Sequence, residues 1–424
     1  MGTLTQPGST GTQTITCPSG SNPKAILMWA VGTASDTVAA HELLGVGFAA
    51  NIDPFGTSME YNSFSAEDAV GTQDSYVEST NTSTLVLHNG TTGAIDLEID
   101  VTTWNTGDVT IDWINLFTTA SIRVHYLIFG GSDVTLARTG NFSVETTDAD
   151  QDVTIESGFG KPELVFFANI DNSGVGLLSA GSISFGFAKQ GEAGRCISHT
   201  AEDGNTNAVV SQSIWNNQCI VCLDDGGGTM DARGGLDTTV SNWPTDGFNI
   251  NWNSTPSYAA RIAYLAIRTS ATITTGEGSA PTSGGLPVNQ DLNHGSVPKC
   301  ALVINARTAT ANTVDTTSTD CGMIGIGGGD GTNEMWCGVM NDDALGTMDA
   351  NRASSVSKSI KFYSAATPAV TSEADGSITG NNFRLAWNDI DATAFLYEWL
   401  TLGDGSAAAP TSLLAAPRPA IARY

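Results

Sequence analysis

Phe248-Asn249-Ile250-Asn251-Trp252 alternates apolar and amide side chains. That is the two-residue period of a strand with one buried face and one wet face. The pattern returns upstream as Val109-x-Ile111-x-Trp113 and downstream as Phe383-x-Leu385-x-Trp387. The three tryptophans lie 139 and 135 positions apart (252 − 113 and 387 − 252). A turn signal precedes each copy, at Gly107-Asp108, Asp246-Gly247 and Gly380-Asn381-Asn382. A strand that ends on a large aromatic three times predicts a sandwich core strand in triplicate, with Trp113, Trp252 and Trp387 as core residues.

The flanking sequence repeats with the same period. Each copy opens on a proline and an apolar strand: Pro23-Lys24-Ala25-Ile26-Leu27, Pro162-Glu163-Leu164-Val165 and Pro298-Lys299-Cys300-Ala301-Leu302. Proline is tolerated at a strand start because its missing N–H falls outside the ladder. A glycine-alternating strand follows, at Gly45-Val46-Gly47-Phe48, Ser184-Phe185-Gly186-Phe187 and Gly325-Ile326-Gly327. Interior strand glycine signals close backbone approach, which a stacked strand or a subunit contact would supply. The strongest local match sets Cys219–Ala232 against Cys337–Ala350, identical at nine of fourteen positions. A worn first copy runs from Val86 through Asn89-Gly90 to Asp96. All three read as equivalent hairpins with tight turns. The closing strands Val124–Ile128, Ile262–Ala266 and Tyr397–Thr401 are apolar on both faces, which suits a central position.

These signals predict an all-β chain of three tandem, mutually homologous β-sandwich domains of jelly-roll type, at 1–133, 134–270 and 271–406, with a C-terminal docking tail at 407–424. Thr274–Pro298 reads as a linker that also supplies a strand, and Val38–Leu44 as a single helical turn.

Composition narrows the function. Charged residues are 14% of the 424, against about 25% in soluble domains. Gly, Ser, Thr, Asn and Asp supply the polarity instead. The net charge is −27 and no Lys/Arg cluster exists, so a nucleic-acid footprint is missing and the acidity reads as solubility. The start, Met1-Gly2-Thr3-Leu4-Thr5-Gln6, has no secretory pattern, and apolar runs such as Ala25–Val31 are too short to span a bilayer. The expectation is therefore a chain kept in a cytoplasm with no membrane insertion. Seven cysteines read as reduced, buried thiols. Cys219-Ile220-Val221-Cys222 has no second pair at zinc spacing.

Candidate chemistry is sparse. Asp224, Asp225 and Asp231, with Asp342, Asp343 and Asp349, are weak Ca²⁺ candidates by their oxygen ligands. The competing reading, turn geometry supplied by Asp-Asp before Gly, is favoured because the first copy has Asn89-Gly90 there. The five histidines (His41, His88, His125, His199, His294) sit at non-equivalent places outside any nucleophile motif. No catalytic residue, metal site or cofactor is therefore assigned. Trp215, Asn216 and Trp243 are the residues of choice for a sugar platform, since exposed rings stack on sugars. The alternative for them is packing.

The Pro-x-x-Leu openings, the Gly-x-Gly-Phe strand and the Asp-Gly-Phe-x-Ile-x-Trp strand together resemble virion structural proteins of tailed bacteriophages, which string β-sandwiches into fibres, tail appendages or head decorations. The resemblance implies a non-enzymatic protein, assembled in the host cytoplasm and resident in the virion. It further implies a homo-oligomer, a trimer above all, in contact with other virion proteins. A carbohydrate-binding array recognising a host-surface glycan is the alternative.

Overall fold

The computed structural model describes residues 1–404 except 19–20, 37, 53–55, 69–73, 119–120, 148, 171–175, 180, 202–209, 225–228, 256–258, 317–321, 342–349 and 365–368. The docking tail therefore lies outside the described residues. Within them the chain is all-β, with one short 3₁₀ turn at Val240–Asn242.

The first unit contains β1 (Gly2–Thr5), β2 (Gly11–Thr16), β3 (Pro23–Val31), β4 (Ala39–Ala40), β5 (Glu42–Asn51), β6 (Thr57–Ala66), β7 (Ser75–Thr80), β8 (Leu85–His88), β9 (Ile95–Asn105), β10 (Asp108–Asn115) and β11 (Arg123–Gly130). Two antiparallel sheets result, in the orders β1-β11-β3-β5-β6-β7 and β2-β10-β9-β8. The strands between Val134 and Thr269, and those between Thr272 and Gly403, form two further pairs of sheets with the same orders.

The short β4 does not join its own unit. It pairs with Ala350–Ser355 at the edge of the third unit's large sheet. Leu178–Ser179 of the second unit pairs with β7 of the first. Thr313–Asp315 of the third pairs with Val210–Trp215 of the second. Each unit thus lends one strand and borrows one, and the loans close into a cycle.

This closure explains the strands that are apolar on both faces. Alternate residues of β3 face opposite ways. Ile26, Met28 and Ala30 pack against the small sheet of their own unit. Ala25, Leu27, Trp29 and Val31 enter a second core, which also takes Leu164, Phe166 and Ala168 from the second unit and Cys300, Leu302 and Ile304 from the third. A large sheet in an isolated sandwich would show that face to water. Here it is buried by two neighbours.

One glycine in each glycine-alternating strand meets the same obstacle. A Cβ at Gly47 would run into the carbonyl oxygen of Thr84, one at Gly186 into that of Cys219, and one at Gly327 into that of Ser359. Each obstructing residue immediately precedes an edge strand of the stacked small sheet: Leu85–His88, Ile220–Leu223 and Ile360–Ser364.

Two expectations change and a third is extended. Val38–Leu44 is not helical: Ala39–Ala40 and Glu42–Leu44 are strand residues on two different sheets, with His41 turning between them at φ 65°, and seven residues are too few to nucleate a helix. Thr274–Pro298 supplies the expected first strand of the third unit (Thr272–Ser279) and, beyond that expectation, a second (Val288–Asn293), each paired in its unit. The nine-of-fourteen match joins hairpins that are not equivalent. Cys219–Ala232 leads into Ile220–Leu223 and Met230–Leu236 of a small sheet. Cys337–Ala350 instead connects Glu334–Asn341 to Ala350–Ser355 in a large one. Their offset of 118 (337 − 219) already departs from the period near 137. Asp-Asp turn chemistry is local, whereas sheet membership is decided by which faces are buried.

Candidate functional site at the junction of the three units

The core tryptophans come first because one arrangement repeats around them. Trp113, Trp252 and Trp387 are buried in their own units' sandwich cores. Each indole N–H donates to a glutamine carbonyl on the neighbouring strand. Trp113 reaches Gln13 at 2.9 Å, Trp252 reaches Gln151 at 2.8 Å and Trp387 reaches Gln290 at 2.7 Å. The glutamines share the tryptophan period, 138 and 139 residues apart (151 − 13 and 290 − 151), and were the signal that sequence reasoning passed over.

Polar side chains converge where the three units meet. The carboxylate of Glu42, at the start of β5, lies 3.1 and 3.3 Å from Nε2 of His199 in the second unit. Nδ2 of Asn341 in the third unit donates to it at 3.4 Å. All three side chains are fully buried. Among the described residues, His199 Nδ1 and Asn341 Oδ1 have no hydrogen-bond partner.

Each seam carries further polar contacts. Between the first and second units, Arg261 pairs with Glu60, which also accepts from Asn141 at 2.8 Å. Burial raises the Glu60 carboxyl above its ordinary range, with Arg261 pulling it back. Between the second and third, Arg195 approaches Glu398 at 2.5 Å. Burial nonetheless pushes the Glu398 carboxyl up to about 8, against the lowering effect of Arg195. Between the third and first, His125 Nε2 meets Ser354 Oγ at 3.0 Å, while Thr3 holds its Nδ1 at 2.8 Å. Burial, helped by the charge of Arg123, lowers that imidazole to about 3, so it is neutral.

At one end of the shared core a cavity of about 640 Å³ opens. Its floor includes Phe129, Ile267 and Leu402, one from each unit, with Leu164 and Cys300 beside them. These residues pair across neighbouring strands, Leu164 with Ile267 and Cys300 with Leu402. Asp133, Lys299 and Asp330 stand at the rim.

A third cluster resembles a hydrolase relay. Ser63 Oγ lies 2.6 Å from His88 Nδ1, and His88 Nε2 lies 2.8 Å from Glu78. The hydrogen bond from His88 holds the Glu78 carboxyl below its ordinary range, ahead of the opposing effect of burial and a further bond from Tyr61. Ser63 and His88 are sealed in the interior, so a substrate carbonyl has no route to the hydroxyl. The cluster stitches β6, β7 and β8 together.

The sugar-platform residues are not presented to solvent. Trp215 is 2% and Trp243 3% exposed, and their indole N–H groups donate to Ser213 Oγ and to the Asp237 carbonyl. Arg233 covers the Trp215 ring. Asn216 is half-buried and bonds Asn312 of the third unit at 2.7 Å. Of the nine tryptophans only Trp104 is not buried, and it too bonds inward, to Thr57. Neither ring is therefore open to a sugar: Trp243 is packed in the second unit's own core, and Trp215 lies among Cys196, Val221 and Leu223 with Val314 of the borrowed strand against it.

Of the calcium candidates, Asp225, Asp342, Asp343 and Asp349 lie outside the described residues. Asp224 closes its turn through a backbone bond to Thr229. Burial, and then the nearby charge of Asp224, raise the Asp231 carboxyl. Among the described residues no group of three potential ligands comes together.

The described cysteines are all buried and none forms a disulfide. Cys219 and Cys222 both pack into the second unit's core. No helix among the described residues is long and apolar enough to cross a membrane. Compared with known proteins, the chain matches no family model, and no curated protein or solved structure is similar to it.

Proposed function

We propose that this chain is a non-enzymatic structural protein of a tailed-phage virion, acting in particle assembly and surface presentation as part of a tail, fibre or head decoration. The observation that supports this reading most is the cycle of exchanged edge strands. Open sheet edges pair with whatever strand they meet. Here the outer edge of each large sheet beyond β7 and its two counterparts is covered by a neighbouring unit, which suits a rigid body handled in many copies. In this reading the three units are duplicates of one sandwich, as their shared strand orders, Trp–Gln pairs and glycine positions support. Six and four strands exceed the eight of a jelly roll, so the class kept is a sandwich with its own connectivity.

The threefold association that sequence reading places between chains has its counterpart inside one chain. The partners in this proposal are accordingly other virion proteins and further copies arranged by the particle. Assembly takes place in the host cytoplasm.

An antiserum against the purified chain tests the proposal, applied to tailed particles from the source culture and viewed by electron microscopy. Label at one defined site on the particle is the expected outcome. Particles that carry no label, with the chain found only in the soluble fraction, would sink the reading.

A further inference from the structure

The cavity at the end of the shared core is the least finished part of the molecule. The three units bury one apolar core between them, yet at this end Phe129, Leu164, Ile267, Cys300 and Leu402 line an open space of about 640 Å³. That volume lies within the range of pockets that hold a drug-sized ligand or a few side chains. Open apolar concavities mark binding sites on soluble proteins.

Chain connectivity points to the occupant. Gly403, the last residue of the last strand, lines the cavity. The next residue, Asp404, is ion-paired to the rim residue Lys299. The segment that follows, 405–424, therefore starts at the mouth. It contains Leu413 and Leu414 as an adjacent pair, then Arg418, Ile421 and Arg423, with no acidic side chain in a chain of net charge −27. The rim it leaves carries Asp133 and Asp330, with Lys299 3.5 Å from Asp133 and the Met1 ammonium 3.6 Å from Asp330; with Asp404, acids outnumber cations there by three to two. From Asp404 to Leu413 an extended chain covers about 30 Å, ample to turn back into the opening.

We propose that Ala407–Tyr424 docks in cis into this cavity, with Leu413 and Leu414 on its apolar floor and the two arginines against its acidic rim. The tail then completes the core that the three units leave open. Tethering favours this occupant over any free one, because a segment joined to the mouth by a few residues of the same chain is held at an effective concentration of order millimolar.

The probe is a fluorescently labelled synthetic peptide of Ala407–Tyr424, followed by anisotropy at micromolar concentration. Three proteins are compared: the intact chain, the full-length variant L413D/L414D, and that variant with Asp133→Lys and Asp330→Lys added. The substitutions lie in the tail or at the half-buried rim, where Asp330 also accepts from the Thr332 and Asn333 N–H groups of its own turn, so circular dichroism and the urea midpoint check the fold of each variant. The intact chain should bind no peptide, because its own tail fills the site. The L413D/L414D variant should bind it saturably, and the added lysines should weaken that binding at least about tenfold, as expected for lost charge complementarity. Equal binding to the intact chain and to L413D/L414D would mean an empty cavity and overturn the proposal, as would no binding to either. A mass by light scattering that rises with concentration for the intact chain, and not for L413D/L414D, would place the tail on a second copy and overturn docking in cis.

Discussion

Glutamine 151 receives the indole N–H of Trp252, binds the Ser143 carbonyl through its own amide and accepts from the Glu145 N–H. A buried donor left without a partner costs about 1–3 kcal/mol. Gln151→Leu should therefore lower the stability of the whole chain by about that amount, read as a shift of the urea midpoint at unchanged slope. An unchanged midpoint would remove the Trp–Gln pair from the account of stability. Two side chains at one strand position, His125 and Glu398, should make stability depend on pH in opposite directions. Glu398 titrates near 8 in the folded chain and near 4.5 when unfolded, so its contribution is full below 4.5 and is lost as pH rises toward 8. His125 titrates near 3 folded and 6.5 unfolded, so its contribution is full above 6.5 and is lost as pH falls toward 3. The stability difference between wild type and Glu398→Gln should thus move against the wild type from pH 5 to pH 8. Between wild type and His125→Gln it should move against the wild type from pH 6.5 to pH 4. Denaturant titrations at four pH values read both, and a flat difference in either series rejects that assignment.

At the scale of the element, strand order is enforced by sterics as well as by pattern. Gly47 is extended backbone that any residue can adopt, but a Cβ there meets the Thr84 carbonyl, which belongs to a backbone that cannot swing aside. Gly47→Ala should cost about 1–3 kcal/mol as overpacking does, while Gly8→Ala, with open space around it, should stay within about 0.5 kcal/mol. Thermal unfolding of the two variants side by side makes the comparison, and equal melting temperatures would contradict it. The same elements show what the sequence discloses. Phe248–Trp252 and its two relatives announce their strands because alternation is a property of five consecutive residues. The close approach at Gly47 was legible as a need for space, though not as Thr84, which lies thirty-seven positions away (84 − 47). Ala39–Ala40 carried no signal at all. Two residues hold no periodicity, and their role comes from an edge supplied more than three hundred positions downstream. Trp215 misled for a related reason. Its amide neighbours are those of a surface loop, yet the third unit packs against them.

For the whole molecule, the shared core sets how the chain unfolds. The apolar face of each large sheet is covered only while the other two units are present, so the units should melt together. Calorimetry should give one transition with calorimetric and van't Hoff enthalpies in agreement. Residues 134–269 expressed alone should expose the Phe166 and Phe185 face, bind a hydrophobic dye and aggregate. Three separate transitions, or a soluble and folded excised unit, would show that the units stand alone. Joining the units in one polypeptide also frees them from repetition. A ring of identical subunits repeats every side chain once per subunit, so an acid buried as Glu42 is would appear three times in the dry interior. The covalent ring places one carboxylate, one imidazole and one amide there instead. The junction carries a single set of polar groups that a symmetric assembly would have to repeat three times, and each unit can change its share independently.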